Sequence, residues 1–304
     1  MTMTAPITSE QQWQFEIPAM GGMVVGFDGS PASYSAIESA AVIAAANDLA
    51  VHVVSVLPPM SSYALNLGMD EPRSEIEDLR VQLRDVAIRD AIGSGWDRAA
   101  WTREVVIGNP ADEIARVADE RAASLIVLGR SNRGTVDRLL GIDTTMQVMS
   151  RSLVPVLVVD DELDKPSIAV AAIDFSKGSA RAASVALKVL AERGTLYLVH
   201  VEEPMEVLPD RSVAQAEPYS GETFFRFRRL VAQLRIPSNV LVETIVLNGA
   251  PVPAIAEFCE RVGADVLAVG THGQKRIGRL SLGTVSRELI RKSRTPIVVA
   301  PAKG

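Results

Sequence analysis

The chain alternates short, continuous apolar runs, rich in β-branched residues, with longer segments of helical periodicity. The runs lie at 22–27, 51–57, 102–107, 124–129 and 154–159, and again at 168–173, 195–201, 240–247, 264–270 and 296–300. Continuous apolar runs, as opposed to alternating ones, indicate strands of a sheet that is covered on both faces. Between two of them, Ala183, Leu187 and Leu190 recur at helical spacing, which marks one buried helix face. Strand, helix and strand in repeated order predict parallel strands with right-handed crossovers.

The second half of the chain repeats the first. The segment "GNPADEIARVADERAASLIVLG" at 108–129 aligns without gaps with "GAPVPAIAEFCERVGADVLAVG" at 249–270. "GGMVVGFDGS", which contains Asp28, likewise matches "SIAVAAIDFS", which contains Asp174. Agreement at several separated places indicates a duplicated domain.

These patterns predict an α/β fold of two tandem, open, doubly wound parallel sheets with five strands each, a Rossmann-like architecture. We expect one domain at 21–160 and the second at 168–304, with residues 1–20 as an N-terminal extension. The acidic, proline-bearing segment 161–167 is expected to be a solvated linker. Ligands of such folds bind outside the carboxyl ends of the strands, where the strand order reverses.

The composition restricts the classes of partner. Of the 304 residues 47% are apolar and 22% are charged, and the formal net charge is -6. This balance is typical of a core-forming globular chain. A mildly acidic protein is a poor match for nucleic acid or an anionic membrane, because neutralising phosphates requires clustered cations. We therefore expect neither as a partner.

Targeting signals and redox chemistry are not indicated either. The first twenty residues lack a basic start and an apolar centre, so they do not resemble a signal peptide. No uninterrupted apolar stretch is long enough to span a bilayer. We expect a cytoplasmic protein without membrane insertion. Cys259, the one cysteine, is expected to pack as a small apolar group.

A glycine-bearing segment, "GTHGQKRIGRLSLGT" at 270–284, follows the apolar run "ADVLAV". Glycine lets a ligand approach the backbone closely, and exposed amides at the start of the next helix can hold anionic oxygen. The threonine that ends the segment can add a hydroxyl donor. Alternatively, two glycines permit a turn and the third caps a helix, and the spacing alone does not separate these interpretations.

Other polar residues fall at the same predicted edge of the sheet. Asp174 follows the first strand of the second half, and His200 and Val201 end the second strand. Asp174 either contacts a ligand or has a local role, capping the next helix or fixing a turn, and His200 is either a ligand contact or a structural residue. His272, inside the glycine-bearing segment, is either solvated or oriented towards phosphate.

Several strings of the second half resemble the universal stress protein family. They are "AAIDFS", "LVHV", "NGAP", "ADVLAVGTHG" and "TPIVVAP". The pattern of glycine, two residues, glycine, nine residues, glycine and then serine or threonine is similar to that of the ATP-binding subgroup. The resemblance covers both halves, so it implies a tandem universal stress protein with a fold like that of the adenine nucleotide alpha hydrolases.

The resemblance also implies roles for particular residues. It places Asp174 against the ribose or adenine, the backbone around Val201 against adenine, and Pro251 at the border of the nucleotide pocket. The residues that it places around the phosphates are Gly270, His272, Gly273, Gly283, Thr284 and Val285. The implied ligand is ATP, with Mg²⁺ held mainly by phosphate oxygens, and AMP, ADP or cyclic AMP are alternatives.

The first half departs from this pattern. Asp28 and Gly129 are retained as counterparts of Asp174 and Gly270, but Asn132 replaces the second glycine. At the third glycine and its threonine stand Ile142 and Asp143, and a carboxylate there would repel phosphate. Three arginines offer compensation: Arg130, Arg133 and Arg138. We expect the better nucleotide site in the second half.

Three functions remain open at this point. The leading one is a nucleotide-binding protein with a regulatory or stress-response role and without rapid turnover. The second is a slow ATPase or phosphotransferase, although the sequence contains no Walker A segment and no dinucleotide fingerprint, and we identify no convincing catalytic base. The third is an interaction scaffold without a ligand.

Association is expected through strands. The final apolar runs, in "VPVLVVD" and "TPIVVAP", are predicted at sheet edges, which need covering. The family resemblance implies that they pair between domains, so the two halves form a pseudo-dimer, and edge strands are also expected to support self-association of chains.

Longer segments offer further surfaces. Segments 58–72 and 202–218 are lids, surfaces for an unidentified regulatory protein partner, or plain loops. In the predicted helix "YSGETFFRFRRLVAQL", packing of Phe224 and Phe227 accounts for the aromatic residues.

Overall fold

The computed structural model describes residues 21–59, 74–93, 101–130, 144–190, 193–202, 221–271 and 283–302. The strands are β1 (Met23–Gly26), β2 (Val51–Leu57), β3 (Trp101–Ile107), β4 (Leu125–Gly129), β5 (Val156–Val159), β6 (Ile168–Ala172), β7 (Gly194–Glu202), β8 (Val240–Asn248), β9 (Val266–Gly270) and β10 (Ile297–Ala300). The helices are α1 (Pro31–Asn47), α2 (Ser74–Ile92), α3 (Pro110–Glu120), α4 (Thr144–Arg151), α5 (Lys177–Val189), α6 (Gly221–Gln233), α7 (Pro251–Val262) and α8 (Thr284–Lys292).

Every predicted apolar run is a strand, and no strand end differs by more than two residues from its prediction. The predicted α/β fold is confirmed. The agreement has a simple cause, because successive residues of a strand point to opposite faces of the sheet. Val24 and Val25 belong to two different apolar clusters, one on each face, so every position along the strand has to be apolar.

The two parallel sheets are joined into one sheet of ten strands, in the order β3-β2-β1-β4-β5-β10-β9-β6-β7-β8. Pairing within each half is parallel, whereas β5 and β10 pair antiparallel, with Val298 opposite Leu157. The expected pairing of the final strands inside the chain is confirmed. These strands therefore lie at the centre of the sheet, and its outer strands are β3 and β8.

The antiparallel junction places the carboxyl ends of the two halves on opposite edges of the sheet. Helices cover both faces: α1, α2, α5 and α6 contribute to one apolar cluster, and α3, α4, α7 and α8 to the other. Each cluster takes residues from β5 and from β10. The core is thus continuous across the junction of the halves.

The segment between the halves is mostly exposed, as its acidity predicts, but it is anchored to the first half at Leu163. Leu163 is 4% exposed and belongs to the core cluster. Its backbone N–H donates to Oγ of Ser39, in α1, at 3.0 Å. The one leucine in an acidic string is enough to dock the segment on the first half, because burying a leucine side chain is worth about 2 kcal/mol.

Two side-chain predictions have different outcomes. Cys259 is buried, and burial raises the pKa of its thiol to about 12, so its expected packing role is confirmed. Phe227 is buried as expected, but Phe224 is 55% exposed, so packing does not account for it. Residues 1–20 and most of segments 58–72 and 202–218 lie outside the described residues.

Candidate functional site

The predicted residues of the second half lie at the carboxyl edge of its sheet. Val201 stands near the end of β7, Gly270 ends β9, and Asp174 follows β6 by two residues. Strand β6 lies between β7 and β9, so the chain winds outward from β6 in both directions. This reversal creates the crevice in which folds of this kind bind ligands.

Asp174 shapes the turn that leads from β6 into α5. Its Oδ1 accepts a hydrogen bond from the backbone N–H of Ser176 at 3.0 Å. Oγ of Ser176 accepts from the N–H of Ser179 at 3.2 Å and so caps α5. Of the two roles left open for Asp174, the turn-forming one is thus present. Phe175, between Asp174 and Ser176, adopts a φ of 61°, in a region that few residues other than glycine occupy.

His200 holds this turn from the side. Its Nδ1 lies 2.7 Å from the carbonyl oxygen of Ile173, and because a carbonyl can only accept, Nδ1 is the donor. The ring of Phe175 packs 4.8 Å from the ring of His200 and 5.0 Å from that of Phe227. The guanidinium of Arg226 lies 4.3 Å above Phe175. His200 is therefore a structural residue here, and its contacts support the left-handed Phe175.

Gly270 is required by packing. A Cβ at this position would lie 2.7 Å from backbone atoms of Gly178 and of Ser179, at the start of α5. In the first half, a Cβ at Gly129 would collide with the backbone carbonyl of Ala32 in α1. Both glycines let a helix begin close against the sheet. The sequence did not reveal this packing role.

Helix α8 begins directly beside the end of β9. The N–H of Gly283 donates to the carbonyl of Thr271 at 2.6 Å, and Oγ of Ser286 donates to the carbonyl of Gly270 at 2.6 Å. Gly283 is the N-cap residue and has no side chain with which to cap the first turn. The backbone amides of Thr284 and Val285 belong to that turn. It is thus fixed in place without a side-chain cap.

Helix α7 also begins at this edge without a side-chain cap. Its N-cap is Ala250, and Pro251 occupies the first helical position. The preceding Gly249 has a φ of 121°, and its N–H donates to the carbonyl of Glu202, the last residue of β7, at 3.1 Å. This bond holds Pro251 at the carboxyl edge of the sheet.

The first half forms the same turn but a different helix start. Oδ1 of Asp28 accepts from the N–H of Ser30 at 2.9 Å, around a Gly29 with a φ of 82°. At the start of α3, Oδ1 of Asn109 accepts from the N–H of Ala111 at 3.0 Å. The guanidinium of Arg151 lies 3.2 Å from the same Oδ1. The start of α3 is therefore occupied by side chains, in contrast to that of α7.

Arg130 has a role that the sequence did not reveal. Its Nη1 donates to the carbonyls of Ile290 and Ser293, both at 2.8 Å, and its Nε lies 3.1 Å from Oδ1 of Asp160. Arg130 follows β4 of the first half, whereas Ile290 lies in the last turn of α8. The side chain thus binds the end of α8 from the other half. Asp143, whose negative charge Arg130, Arg133 and Arg138 were expected to offset, lies outside the described residues.

Not all predicted positions can be placed. His272 and Gly273, together with Asn132 and Ile142, lie outside the described residues. The other predicted residues of the second half lie at one edge, and Asp28 and Gly129 lie at the matching edge of the first half. Within the described ranges, no three His, Cys, Asp or Glu side chains are grouped to hold a metal ion. No helix among those described is both long and apolar enough to cross a membrane.

Similarity to known proteins extends over both halves. The sequence model of the Universal stress protein family matches residues 21–160 and 167–301. Universal stress protein Rv1996 of Mycobacterium tuberculosis is 30% identical over 307 residues, which cover 92% of this chain and 94% of that protein. Universal stress protein Rv2005c of the same species is 30% identical over 300 residues, covering 92% of this chain and 96% of that protein.

A solved structure shares the fold of the whole chain. It is a universal stress protein from Archaeoglobus fulgidus, with a TM-score of 0.66 and 21% identity, and the superposition covers 93% of this chain and 96% of that one. Together with the two family matches, these relatives establish that the chain belongs to the universal stress protein family.

Proposed function

We propose that the second half binds an adenine nucleotide, ATP above all, and that the protein acts as a regulatory nucleotide-binding protein without rapid turnover. The observation that carries this proposal is the start of α8. It is fixed to the end of β9 by two hydrogen bonds, of Gly283 and Ser286, yet its first turn has no side-chain cap. Amides of this kind are a favourable site for anionic oxygen.

The residues around this helix start suit the rest of a nucleotide. If the phosphates bind at Thr284 and Val285, the ribose and adenine extend towards β6 and β7, where Asp174 and Val201 lie. Asp174 has a carboxylate suited to hydroxyl or amino donors of such a ligand, and Val201 offers backbone groups and an apolar surface. The uncapped start of α7 at Pro251 completes the border of the crevice.

Mg²⁺ fits this site as a companion of the triphosphate. The described residues provide no metal-binding group of side chains, and Mg²⁺ commonly takes most of its ligands from phosphate oxygens and water. When bound, the ion would neutralise part of the phosphate charge. The backbone amides of the helix start would hold the remaining charge.

Rapid hydrolysis is less well supported than binding. Nδ1 of His200 is engaged with the carbonyl of Ile173, and Oδ1 of Asp174 is engaged in the turn. Neither arrangement resembles a base poised to activate water. We propose that nucleotide occupancy is the signal and that an unidentified regulatory protein reads it.

Calorimetric titration with ATP tests the proposal, using Gly283→Asp against Gly283→Asn. Both substitutions supply a side-chain cap, and the change in helix stability is only a few tenths of a kcal/mol. The introduced carboxylate also repels phosphate, so we expect ATP affinity to fall at least about tenfold in Gly283→Asp, equivalent to about 1.4 kcal/mol. Gly283→Asn should lose less.

ADP, AMP and cyclic AMP, each with and without Mg²⁺, identify the preferred ligand in the same titration. Equal ATP affinity in the wild type and in Gly283→Asp would contradict the proposed site. ADP release measured in parallel should stay well below about 1 per second, the low end of common enzyme turnover. Faster release would favour the ATPase alternative.

A further inference from the structure

Helix α2 carries an exposed apolar stripe, formed by Ile76, Leu79, Leu83 and Val86. These side chains are 46%, 54%, 62% and 47% exposed, respectively. Their spacing of three, four and three residues places them along one line of the helix. It is also the spacing of core positions in a coiled coil. Isolated exposed apolar residues need no explanation, but a contiguous line of four marks an interaction surface.

A different face of α2 attaches the helix to its own domain. Ile88 and Ala91, on another face, are buried in the core cluster. Oδ1 of Asp85 accepts from Nε of Arg103, in β3, at 2.8 Å and holds the middle of the helix. Within the described ranges, the helix is thus packed by one face and the stripe lies exposed.

The duplicated half shows that the fold does not require this stripe. A Cβ at Gly29 would lie 3.3 Å from Nη1 of Arg84, in α2. The guanidinium of Arg226, in α6, lies over Phe175, which is the counterpart of Gly29, so the two arginines mark corresponding positions. In this alignment Leu79, Leu83 and Val86 correspond to Gly221, Phe225 and Arg228, respectively. A glycine and an arginine interrupt the apolar line in α6. The stripe is therefore a property of α2 alone.

We propose that the stripe binds the same stripe of a second copy of this chain, with the two α2 helices antiparallel. Pairing about the midpoint of the stripe places Ile76 level with Val86 of the second copy and Leu79 level with Leu83. Each of these two contacts occurs twice, so the interface has four apolar layers. One two-fold axis relates the two copies of each contact. A symmetric interface of this type is the commonest route to a homodimer.

Charges at the ends of the stripe fit the antiparallel arrangement. Glu75 lies in the first turn of α2 and Arg89 in the last. The two positions are fourteen residues apart and lie on the same side of the stripe. In an antiparallel pair of helices, this side of one helix faces the same side of the other. Antiparallel helices therefore place each Glu75 beside an Arg89. Opposed helix dipoles add to this preference.

The size of the stripe predicts a weak dimer. Four medium-sized side chains per copy bury less than the roughly 1,200 Å² at which stable interfaces begin. We expect association that depends on protein concentration. This contact also differs from the edge-strand association suggested by the sequence, because β5 and β10 are already paired inside the chain.

Sedimentation equilibrium of the full chain, from about 1 to several hundred μM, tests the proposal over the range expected for transient complexes. We expect reversible dimerisation in the wild type and none in Leu79→Glu/Leu83→Glu. Both positions are exposed, so circular dichroism and urea unfolding should remain unchanged. Phe225→Glu, at the matching exposed site of α6, is the control and should dimerise normally.

Charge exchange tests the orientation. Glu75→Arg should weaken the dimer, and the double variant Glu75→Arg/Arg89→Glu should restore it. A monomeric wild type at all concentrations would overturn the proposal, as would a dimer that survives Leu79→Glu/Leu83→Glu. Failure of the double variant to recover would overturn the antiparallel arrangement.

Discussion

The two halves share one architecture and differ in what occupies their helix starts at the carboxyl edge. In the first half, Asn109 caps α3, and Arg151 bridges Asn109 and Asp112. In the second half, the N-cap residues of α7 and α8, Ala250 and Gly283, make no side-chain cap. The capped start of α3 shows that the fold accepts a protein acceptor at this edge. The uncapped start of α7 therefore distinguishes the second half from the first, and uncapped amides suit the anionic ligand proposed above.

Other features are common to both halves and point to the fold. Each has an Asp–X–Ser turn whose middle residue has a positive φ, Gly29 in one and Phe175 in the other. Each ends its fourth strand with a glycine against the start of a helix, Gly129 and Gly270. Shared features of this kind do not by themselves identify a ligand site.

The largest expected effect comes from adding a methyl group at the shared glycines. Gly270→Ala places Cβ within 2.7 Å of the backbone of α5, and neither backbone can move away cheaply. We expect the free energy of unfolding to fall by about 3 kcal/mol, the upper range for overpacking. Gly129→Ala should cost at least as much. Gly221→Ala, which has open space around it, is the control in urea unfolding, and a loss there of equal size would refute this packing role.

A smaller effect is expected from Arg130, where the halves are not equivalent. The corresponding residue of the second half is Thr271, which is neutral and much shorter than arginine. Arg130→Gln removes a charged donor from the last carbonyls of α8, and we expect a loss of about 2 kcal/mol. Urea unfolding measures it, with Arg116→Gln as the control, because the ion pairs of Arg116 are exposed. Equal losses in both variants would contradict the bridging role.

The smallest effect is expected from exchanging the caps themselves. Asn109→Ala should lower the free energy of unfolding by about 1 kcal/mol, because two amides of α3 lose their acceptor. Ala250→Asn should raise it by a similar or smaller amount. Thermal unfolding measures the stability of both variants. An unchanged stability of Asn109→Ala would contradict the stabilising role of this cap and thus the difference between the halves.

The sequence predicted the fold well because burial on both sheet faces leaves a continuous apolar signal, as at Val24 and Val25. The sequence predicted fewer of the contacts at the site. The need for Gly270 depends on which backbone approaches it, and Gly178 lies almost a hundred residues earlier in the chain. The partners of Arg130 are likewise in the other half. Such contacts are set by tertiary packing and leave no local pattern.

For Asp174 and His200, by contrast, the interpretations based on local structure were already among those considered. An aspartate before a helix start commonly forms a turn, and a histidine at a strand end is commonly a structural residue. The capping signal of Asn109, an asparagine followed by proline at the first helical position, was also present in the sequence. Comparing it with Ala250 would have revealed the difference between the two halves.

The most direct measurement follows backbone amide resonances during titration of the isotope-labelled protein with ATP and Mg²⁺. We predict saturable shifts at Thr284 and Val285, in the uncapped start of α8, and no comparable shifts at Ala111 and Asp112, whose amides are bound by Asn109. Unchanged resonances at Thr284 and Val285 with saturating ATP, or shifts confined to the first half, would contradict the account.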